Sequence, residues 1–333
     1  MNIIVIGGTG LLGYHTVLDG LNKSHSMSAL TIQDISLEDW YPPQVQVTYG
    51  DVFALPKSEL RSLFTGYDAM VYAVGPDDRV IPKAPAYVFF HERLVRACEK
   101  AVAAAQEAGV KRCVILGSYF AYFDRIWPDK RLSERHPYIR CRVEQAERAI
   151  AAGSGTMDVM ILELPYIFGT CPHRVPLWRD TLLDRFIKGR LIFFPKGGTN
   201  MVTVTHVGEA VIGALEYGEH GKRYLVGDEN HTFKEMLTMM MSAIGAQKKI
   251  ISIPRFAAVA AGRAIEAQRR RNGLEGGLDT RYLMRDIMSS YLYFDSAPFA
   301  DALHYGRGGL YEAIEDTMRV SYPELFANRK EIK

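Results

Sequence analysis

The 333-residue chain predicts a doubly wound, parallel α/β sheet with a smaller C-terminal α/β lobe. Through the first half, short β-branched runs alternate with longer helical patterns, as strand-helix-strand units do. A glycine-rich turn joins the first of these runs to the first helical pattern. After Pro165 the alternation breaks into shorter elements richer in Gly, Pro and aromatic residues, as a second lobe folded against the sheet's C-terminal edge would read. The expected division is 1–169 for the sheet domain and 170–333 mainly for the lobe, with some of its segments returning to the sheet.

In chain order, strands are expected at Ile3–Ile6, Ala29–Gln33, Val45–Tyr49, Ala69–Ala73, Cys113–Gly117 and Asp158–Leu162. Helical spacing of apolar residues marks Leu11–Leu21 and the long Val88–Ala108 segment, which Gly109 closes as a C-cap. Right-handed crossovers follow by default. No internal repeat is visible.

Composition narrows the function classes. Hydrophobic residues at 48% and charged residues at 23% are ordinary globular usage. A formal charge of +2 is too small for a general grip on nucleic acid or an anionic membrane, so the expected partner is a small molecule. Cys98, Cys113, Cys141 and Cys171 are widely spaced with no CxxC pair, so neither a metal cage nor a disulfide framework is expected. No basic leader precedes the first strand and no apolar run approaches the roughly 20 residues that span a bilayer. A cytoplasmic protein is the expectation.

The turn after the first strand reads Gly7-Gly8-Thr9-Gly10-Leu11-Leu12-Gly13, with G-x-G-x-x-G at Gly8, Gly10 and Gly13. Glycines let the backbone turn tightly and approach a pyrophosphate, whose charge meets the free N–H groups and positive end of the helix that starts there. Between a strand and a helix, this is the fingerprint of a Rossmann-type dinucleotide site. Gly7, Thr9, Gly10, Leu11, Leu12 and Gly13 are the expected contacts on the turn. Asp34, where the second strand should end, would accept hydrogen bonds from the adenosine ribose and repel a 2′-phosphate, favouring NAD over NADP. Gln33 is a rival for that position. Asp51 and Val52 follow the third strand, where Asp51 would meet the adenine or serve only as a turn. Ala73 ends the fourth.

Ser118 follows a strand, and Tyr138 begins the helical stretch Tyr138-Ile139-Arg140-Cys141-Arg142-Val143-Glu144. With the glycines Gly7, Gly10 and Gly13, Gly50-Asp51, Leu116-Gly117-Ser118 and Pro165-Tyr166-Ile167-Phe168-Gly169, the chain resembles the extended short-chain dehydrogenase/reductases, the NAD-dependent epimerase/dehydratase family. Val204–Val211 looks like that family's His-Val-x-Asp-Val segment, and His206 would anchor the loop it forms. The resemblance implies NAD as cofactor, Ser118 polarising the reacting oxygen, Tyr138 moving the proton, and Pro165 and Ile167 beside the nicotinamide.

The family's lysine, four residues after the tyrosine, is here Arg142. A free phenol has a pKa of about 10, so it is a poor base unless a nearby cation stabilises the phenolate. Positions i and i+4 share a helix face, so Arg142 could reach both ring and cofactor. Arginine is a bulky planar fork where lysine is a compact point charge. Two readings stay open: a working relay with an unusual cation, or a retained fold with weak catalysis, as in a nucleotide-sensing or RNA-associated protein.

Sugar dehydratases of the family carry Asp-Glu where this chain has Tyr119-Phe120, which argues against dehydration. Tyr119, Phe120, Tyr122, Phe123, Tyr166 and Phe168, extended by Trp178 and Phe186, would form an apolar wall suited to an alcohol or ketone on a hydrophobic or sugar-like scaffold. An epimerase with tightly held NAD is the alternative enzyme. His136, His173 and His206 show no i, i+4 spacing for a metal, and no Gly-x-Ser-x-Gly elbow surrounds Ser118. The run Gln268–Gly273 is the densest basic cluster, read as a solvated helix end or a phosphate contact. Relatives dimerise through a helix pair corresponding to Val88–Ala108 and Tyr138–Ala152, so a homodimer is an open expectation.

Overall fold

The computed structural model describes residues 1–33 and 36–327. In chain order its strands are β1 (Asn2–Ile6), β2 (Ser26–Thr31), β3 (Gln46–Tyr49), β4 (Ala69–Tyr72), β5 (Arg112–Ser118), β6 (Asp158–Leu164), β7 (Tyr166–Phe168), β8 (Leu191–Pro195), β9 (Gly198–Thr203), β10 (Arg223–Leu225), β11 (Glu229–Thr232), β12 (Lys249–Ile253) and β13 (Tyr291–Leu292). Its helices include α1 (Leu11–Asn22), α2 (Lys57–Phe64), α3 (Ala86–Phe90), α4 (Ala97–Glu107), α5 (Phe120–Ile126), α6 (Leu132–Arg135), α7 (Pro137–Gly153), α8 (Asp184–Ile187), α9 (Val204–Tyr217), α10 (Phe233–Ala243) and α11 (Arg255–Arg271).

β1 shows why the sheet is central. Ile3 and Val5 enter one core while Ile4 and Ile6 enter the other, the pattern of a parallel strand covered on both faces. The strands β3-β2-β1-β4-β5-β6-β10 form one seven-stranded sheet, parallel throughout. α2, α4 and α7 cover one face; α1 and α9 lie on the other. The close approach of α9 to α1 depends on Gly208, where a Cβ would fall 2.6 Å from the His15 carbonyl oxygen. Chain order reverses between β1 and β4, which opens a crevice at the carboxyl ends of those strands.

The C-terminal half divides its material. β10 joins the large sheet beside β6. β11-β9-β13 form a smaller sheet, with β7 also on β9, and β8 pairs with β12 in parallel. Apolar faces of α10, β8 and β12 close a separate core around Phe194, Phe233, Met240 and Met318.

Two local expectations are corrected. The second strand ends at Thr31, not Gln33, because Thr31 turns its hydroxyl onto Thr9 Oγ1 (2.5 Å) and Ile32 then swings into solvent. The long 88–108 helix starts earlier and is broken into α3, a π-turn over His91–Arg96, and α4. Its end behaves as expected. Gly109 takes φ +89°, its N–H reaches the Gln106 carbonyl and the Val110 N–H the Ala105 carbonyl, a Schellman closure.

His136 immediately precedes Pro137, the first residue of α7, and is fully buried. Its Nδ1 accepts the Asp279 N–H at 3.1 Å, tying α7 to the 274–279 loop. Burial holds the imidazole neutral and pushes its pKa down to about 4 from 6.5. A base depressed in the folded state stabilises above its unfolded pKa and loses that contribution as pH falls toward the folded value. Stability should therefore drop by on the order of 3 kcal/mol between about pH 6.5 and pH 4 from this group. His136→Asn, whose amide oxygen can accept the same bond without titrating, should flatten that part of a melting-temperature profile; an unchanged slope would assign the acid sensitivity elsewhere.

Candidate nucleotide and active site

The glycine turn sits at the β1/β4 crevice. Gly7 adopts φ +83°, which favours glycine, and Gly10 serves as the cap of α1. Gly13 is required for a steric reason: a Cβ there would lie 2.1 Å from the Gly7 carbonyl oxygen. The helix is thus pressed onto the turn, and the N–H groups of Leu11, Leu12 and Gly13 have no acceptor within the helix they open. These donors, with the positive helix end, fit a dinucleotide pyrophosphate. The Thr9 side chain points inward to Thr31, so only its backbone faces the turn's outer side. There the Thr9 carbonyl accepts from Arg174 Nε at 2.9 Å, and His15 Nε2 donates to the Thr170 carbonyl at 2.9 Å. The chain after β7 is therefore fastened over the glycine turn.

The other residues expected to meet the nucleotide spread along the same edge. Asp51 is exposed and accepts the Phe53 N–H at 2.9 Å, while the Val52 side chain is buried in the core below. Ala73 continues β4 and donates its N–H to the Ile6 carbonyl. Pro165 links β6 to β7, and the Ile167 carbonyl accepts from Trp178 Nε1 at 2.9 Å. Gln33 is exposed two residues past β2. Asp34 lies outside the described residues.

Ser118 closes β5 and its Oγ accepts the Phe120 N–H at 3.3 Å. Tyr138 stands in the first turn of α7, and Arg142 one turn on donates Nε–H to the phenol oxygen at 2.9 Å. Arg142 Nη1 donates to the Leu116 carbonyl (3.1 Å) and to Gln145 Oε1 (2.8 Å). Those two bonds bring the guanidinium against β5 and fix its plane. The ring is packed edge-on by Phe90 and capped by Gly277, where a Cβ would come within 2.9 Å of Tyr138 Cβ. Burial pushes the phenol up to about 12; Arg142 pulls it down, and the charges of Asp78 and Asp77 push it up again. Desolvation outweighs the cation, so the neutral phenol is the resting form.

Sequence reasoning missed the opposing carboxylates. Asp77, Asp78 and Arg79 follow β4 at the carboxyl edge. Arg79 forks onto Asp77 through Nε and Nη2, both at 2.5 Å, and lies 5.3 Å over the Trp178 ring. Burial works against the Asp77 carboxylate, yet the Arg79 fork holds it below the usual range. Asp78 has no such fork: burial, then the Asp77 charge, raises it to about 7. The available signal was a charged tripeptide directly after a strand beside the switch point. Gly277 and Gln145 had no sequence signal, because both act through contacts distant in sequence or through a single helix turn.

The aromatic wall is assembled in part. Tyr119 stands 6.4 Å from Tyr166 and 5.6 Å from Phe123, and Trp178 stacks on Phe168 at 4.8 Å and lies 5.3 Å from Tyr166. Phe186 lies further out, packing on Phe194 in the C-terminal cluster that Phe168, Tyr166 and Trp178 also enter. His206 is a correction, since it occupies the first turn of α9 rather than a loop, with Nδ1 2.7 Å from Asp228 Oδ1. All four cysteines are free and buried, and no metal-binding group of His, Cys, Asp or Glu occurs among the described residues. No helix among them is long and apolar enough to cross a membrane.

A family model described as NAD(P)H-binding matches residues 7–167. That stretch runs from Gly7 through the Tyr138 helix to Ile167. The chain is 22% identical to the decarboxylating sterol-4-alpha-carboxylate 3-dehydrogenase of Mus musculus over 266 residues, covering 75% of this chain and 70% of that one. It is 23% identical to sterol demethylase protein B of Methylococcus capsulatus over 261 residues, covering 76% and 78%. The fold is also that of a UDP-glucose-4-epimerase from Stenotrophomonas maltophila solved with bound NAD and formylated UDP-arabinopyranose, at a TM-score of 0.69, 16% identity and coverage of 98% and 99%. The family model and the solved structure thus agree on a Rossmann-type nucleotide-binding fold.

Two outcomes test this geometry. Gly13→Ala forces a methyl into the Gly7 carbonyl, an overpacking of about 1–3 kcal/mol, and should weaken NADH binding at least about tenfold in a fluorescence titration; unaltered affinity would detach α1 from the cofactor. For Asp78, a folded-state pKa raised from 3.8 to about 7 means stability present at low pH and lost as pH rises through that window. Asp78→Asn should accordingly gain melting temperature over the native chain between about pH 4 and pH 7, and a constant difference would show Asp78 to be solvated.

Proposed function

We propose that the chain is an NAD-dependent oxidoreductase acting on a secondary alcohol or the matching ketone of an apolar small molecule. The observation that carries this reading is the Tyr138–Arg142 hydrogen bond at 2.9 Å, on the helix beside the glycine turn's sheet edge and near the Tyr119–Tyr166–Trp178 wall. The two relatives named above act on sterols by their names, which supports a rigid apolar scaffold over a sugar. The lack of an Asp-Glu pair after Ser118 supports oxidation over dehydration.

Bound NAD supplies a carrier for the two electrons removed from the alcohol carbon. The chain's own residues handle the oxygen and its proton. Ser118 Oγ polarises the substrate oxygen. Tyr138 Oη takes the hydroxyl proton as the carbonyl forms and returns it in the reverse direction. Arg142 holds the phenolate through Nε–H while its other bonds keep the fork from swinging away. Gly7, Thr9, Gly10, Leu11, Leu12 and Gly13 seat the pyrophosphate; Ala73, Pro165 and Ile167 line its path, Asp51 and Val52 lie at the adenine end, and Asp34 selects NAD.

The epimerase fold likeness favours one alternative, a chain that keeps its NAD and returns the hydride to the opposite face. Cofactor that co-purifies and resists dialysis would support it, whereas exchangeable NAD with net NADH formation supports the dehydrogenase. We also place the protein in the cytoplasm, in keeping with its buried free thiols, and propose a homodimer through the helix pair that includes α4 and α7, checked by sedimentation.

With the phenol near 12, alcohol oxidation depends on the small phenolate fraction. Its log rate should rise with a slope of about one per pH unit between about pH 7 and pH 9. Tyr138→Phe should lose that slope and about 10²–10⁴-fold in kcat. Arg142→Ala should keep the slope at a lower rate, because removing the cation raises the phenol further. Full activity in Tyr138→Phe would overturn the relay.

A further inference from the structure

The basic residues of the C-terminal half are not evenly spread. From Arg185 to Gly208 there are four lysines and arginines and no acidic residue; from Met236 to Ile265 there are again four and none. These segments are distant in sequence, yet β8 and β12 pair in parallel and set them side by side, Leu191 against Lys249 and Phe193 against Ile251. α11 follows β12 directly after Pro254. The fold thus merges two acid-free stretches into one surface carrying Lys188, Arg190, Lys249, Arg255 and Arg263.

The apolar side chains on that surface face the wrong way for a core. β8 alternates correctly, with Ile192 and Phe194 buried, but its outer positions are Leu191, 52% exposed, and Phe193, 57% exposed. α11 buries only the narrow stripe Ala258, Gly262 and Glu266, leaving Phe256 78% exposed beside Val259 and Ala260. The buried carboxylate within reach, Asp286, is engaged by Arg135, Arg285 and, at 3.8 Å, Arg255. Protein–protein interfaces are depleted in lysine, whereas this face carries Lys188 and Lys249 beside its apolar side chains. An apolar centre of Leu and Phe with a basic rim is complementary to a lipid bilayer bearing anionic headgroups, where rings enter the interface and cations stay among the phosphates.

We propose that the β8, β12 and α11 face docks this protein peripherally on an anionic membrane. The whole-chain charge of +2 hides this face because it averages over a surface whose acids lie elsewhere. The inference does not depend on the redox reading, since none of these residues belongs to the nucleotide site.

The test is co-sedimentation of the full chain with vesicles of phosphatidylcholine alone and of phosphatidylcholine with about one third phosphatidylserine. Binding should occur only to the second and be released at about 0.5 M salt. The double variant Phe193→Ser/Phe256→Ser should weaken binding at least about tenfold, and Lys249→Glu/Arg263→Glu more than about 25-fold, at about fivefold per lost charge. NADH binding should be unchanged in both, which shows that they remain folded. No binding to the anionic vesicles, equal binding to both compositions, or variants that bind as the native chain does would each overturn the proposal. So would a native dimer that the Phe variant dissociates without any vesicle binding, which would make this face an interface between copies.

Discussion

The contact of Gly13 with the Gly7 carbonyl is the constraint on which the molecule turns. Any side chain at position 13 would occupy the space of that oxygen, so α1 can lie this close to the end of β1 only with glycine there. The same contact sets where the helix's free N–H groups point, and it does so at the sheet's topological switch point. α9 then depends on α1 through Gly208, and the 170–174 segment is fastened over the turn by Arg174 and His15. One close backbone approach therefore propagates from local turn to candidate cofactor seat to the packing of the second half of the chain.

A second theme is competition between desolvation and charge around Tyr138. The sheet edge, Phe90 and the Gly277 loop remove water from the phenol, which favours its neutral form. Arg142 opposes this from one side while Asp77 and Asp78 reinforce it from the other. Arg79 neutralises Asp77 but leaves Asp78 poised near neutrality. Arg142 is thus only one of several charges that set the proton affinity of this phenol. The guanidinium is held in place by Leu116 and Gln145, so it acts as a fixed dipole-and-charge clamp on the phenol, where a lysine head would have been free to turn toward the ribose.

The outer face of β8 and α11 obeys different physics from the crevice. A strand with correct period-two burial and apolar residues on both faces, such as β8, is ordinary inside a sheet sandwiched by helices. At a two-stranded edge it leaves Leu191 and Phe193 in water, and the basic rim around them makes that exposure selective.

What the sequence determined by itself was everything carried by local rules. The strand and helix periodicities, the Gly109 closure, the glycine turn and the Tyr138-to-Arg142 spacing are properties of neighbours in the chain, and each stands in the structure close to where it was read. The end of β2 and the π-turn after α3 were misread because a hydroxyl pair and helix packing overrode local propensity. Only the tertiary structure could bring Asp78 to Tyr138, Gly277 onto the same ring, Arg174 to Thr9, and β8 beside β12. Those pairs are separated by tens to hundreds of residues, and no period or motif encodes which distant side chains will share one desolvated space; that is settled when the layers pack.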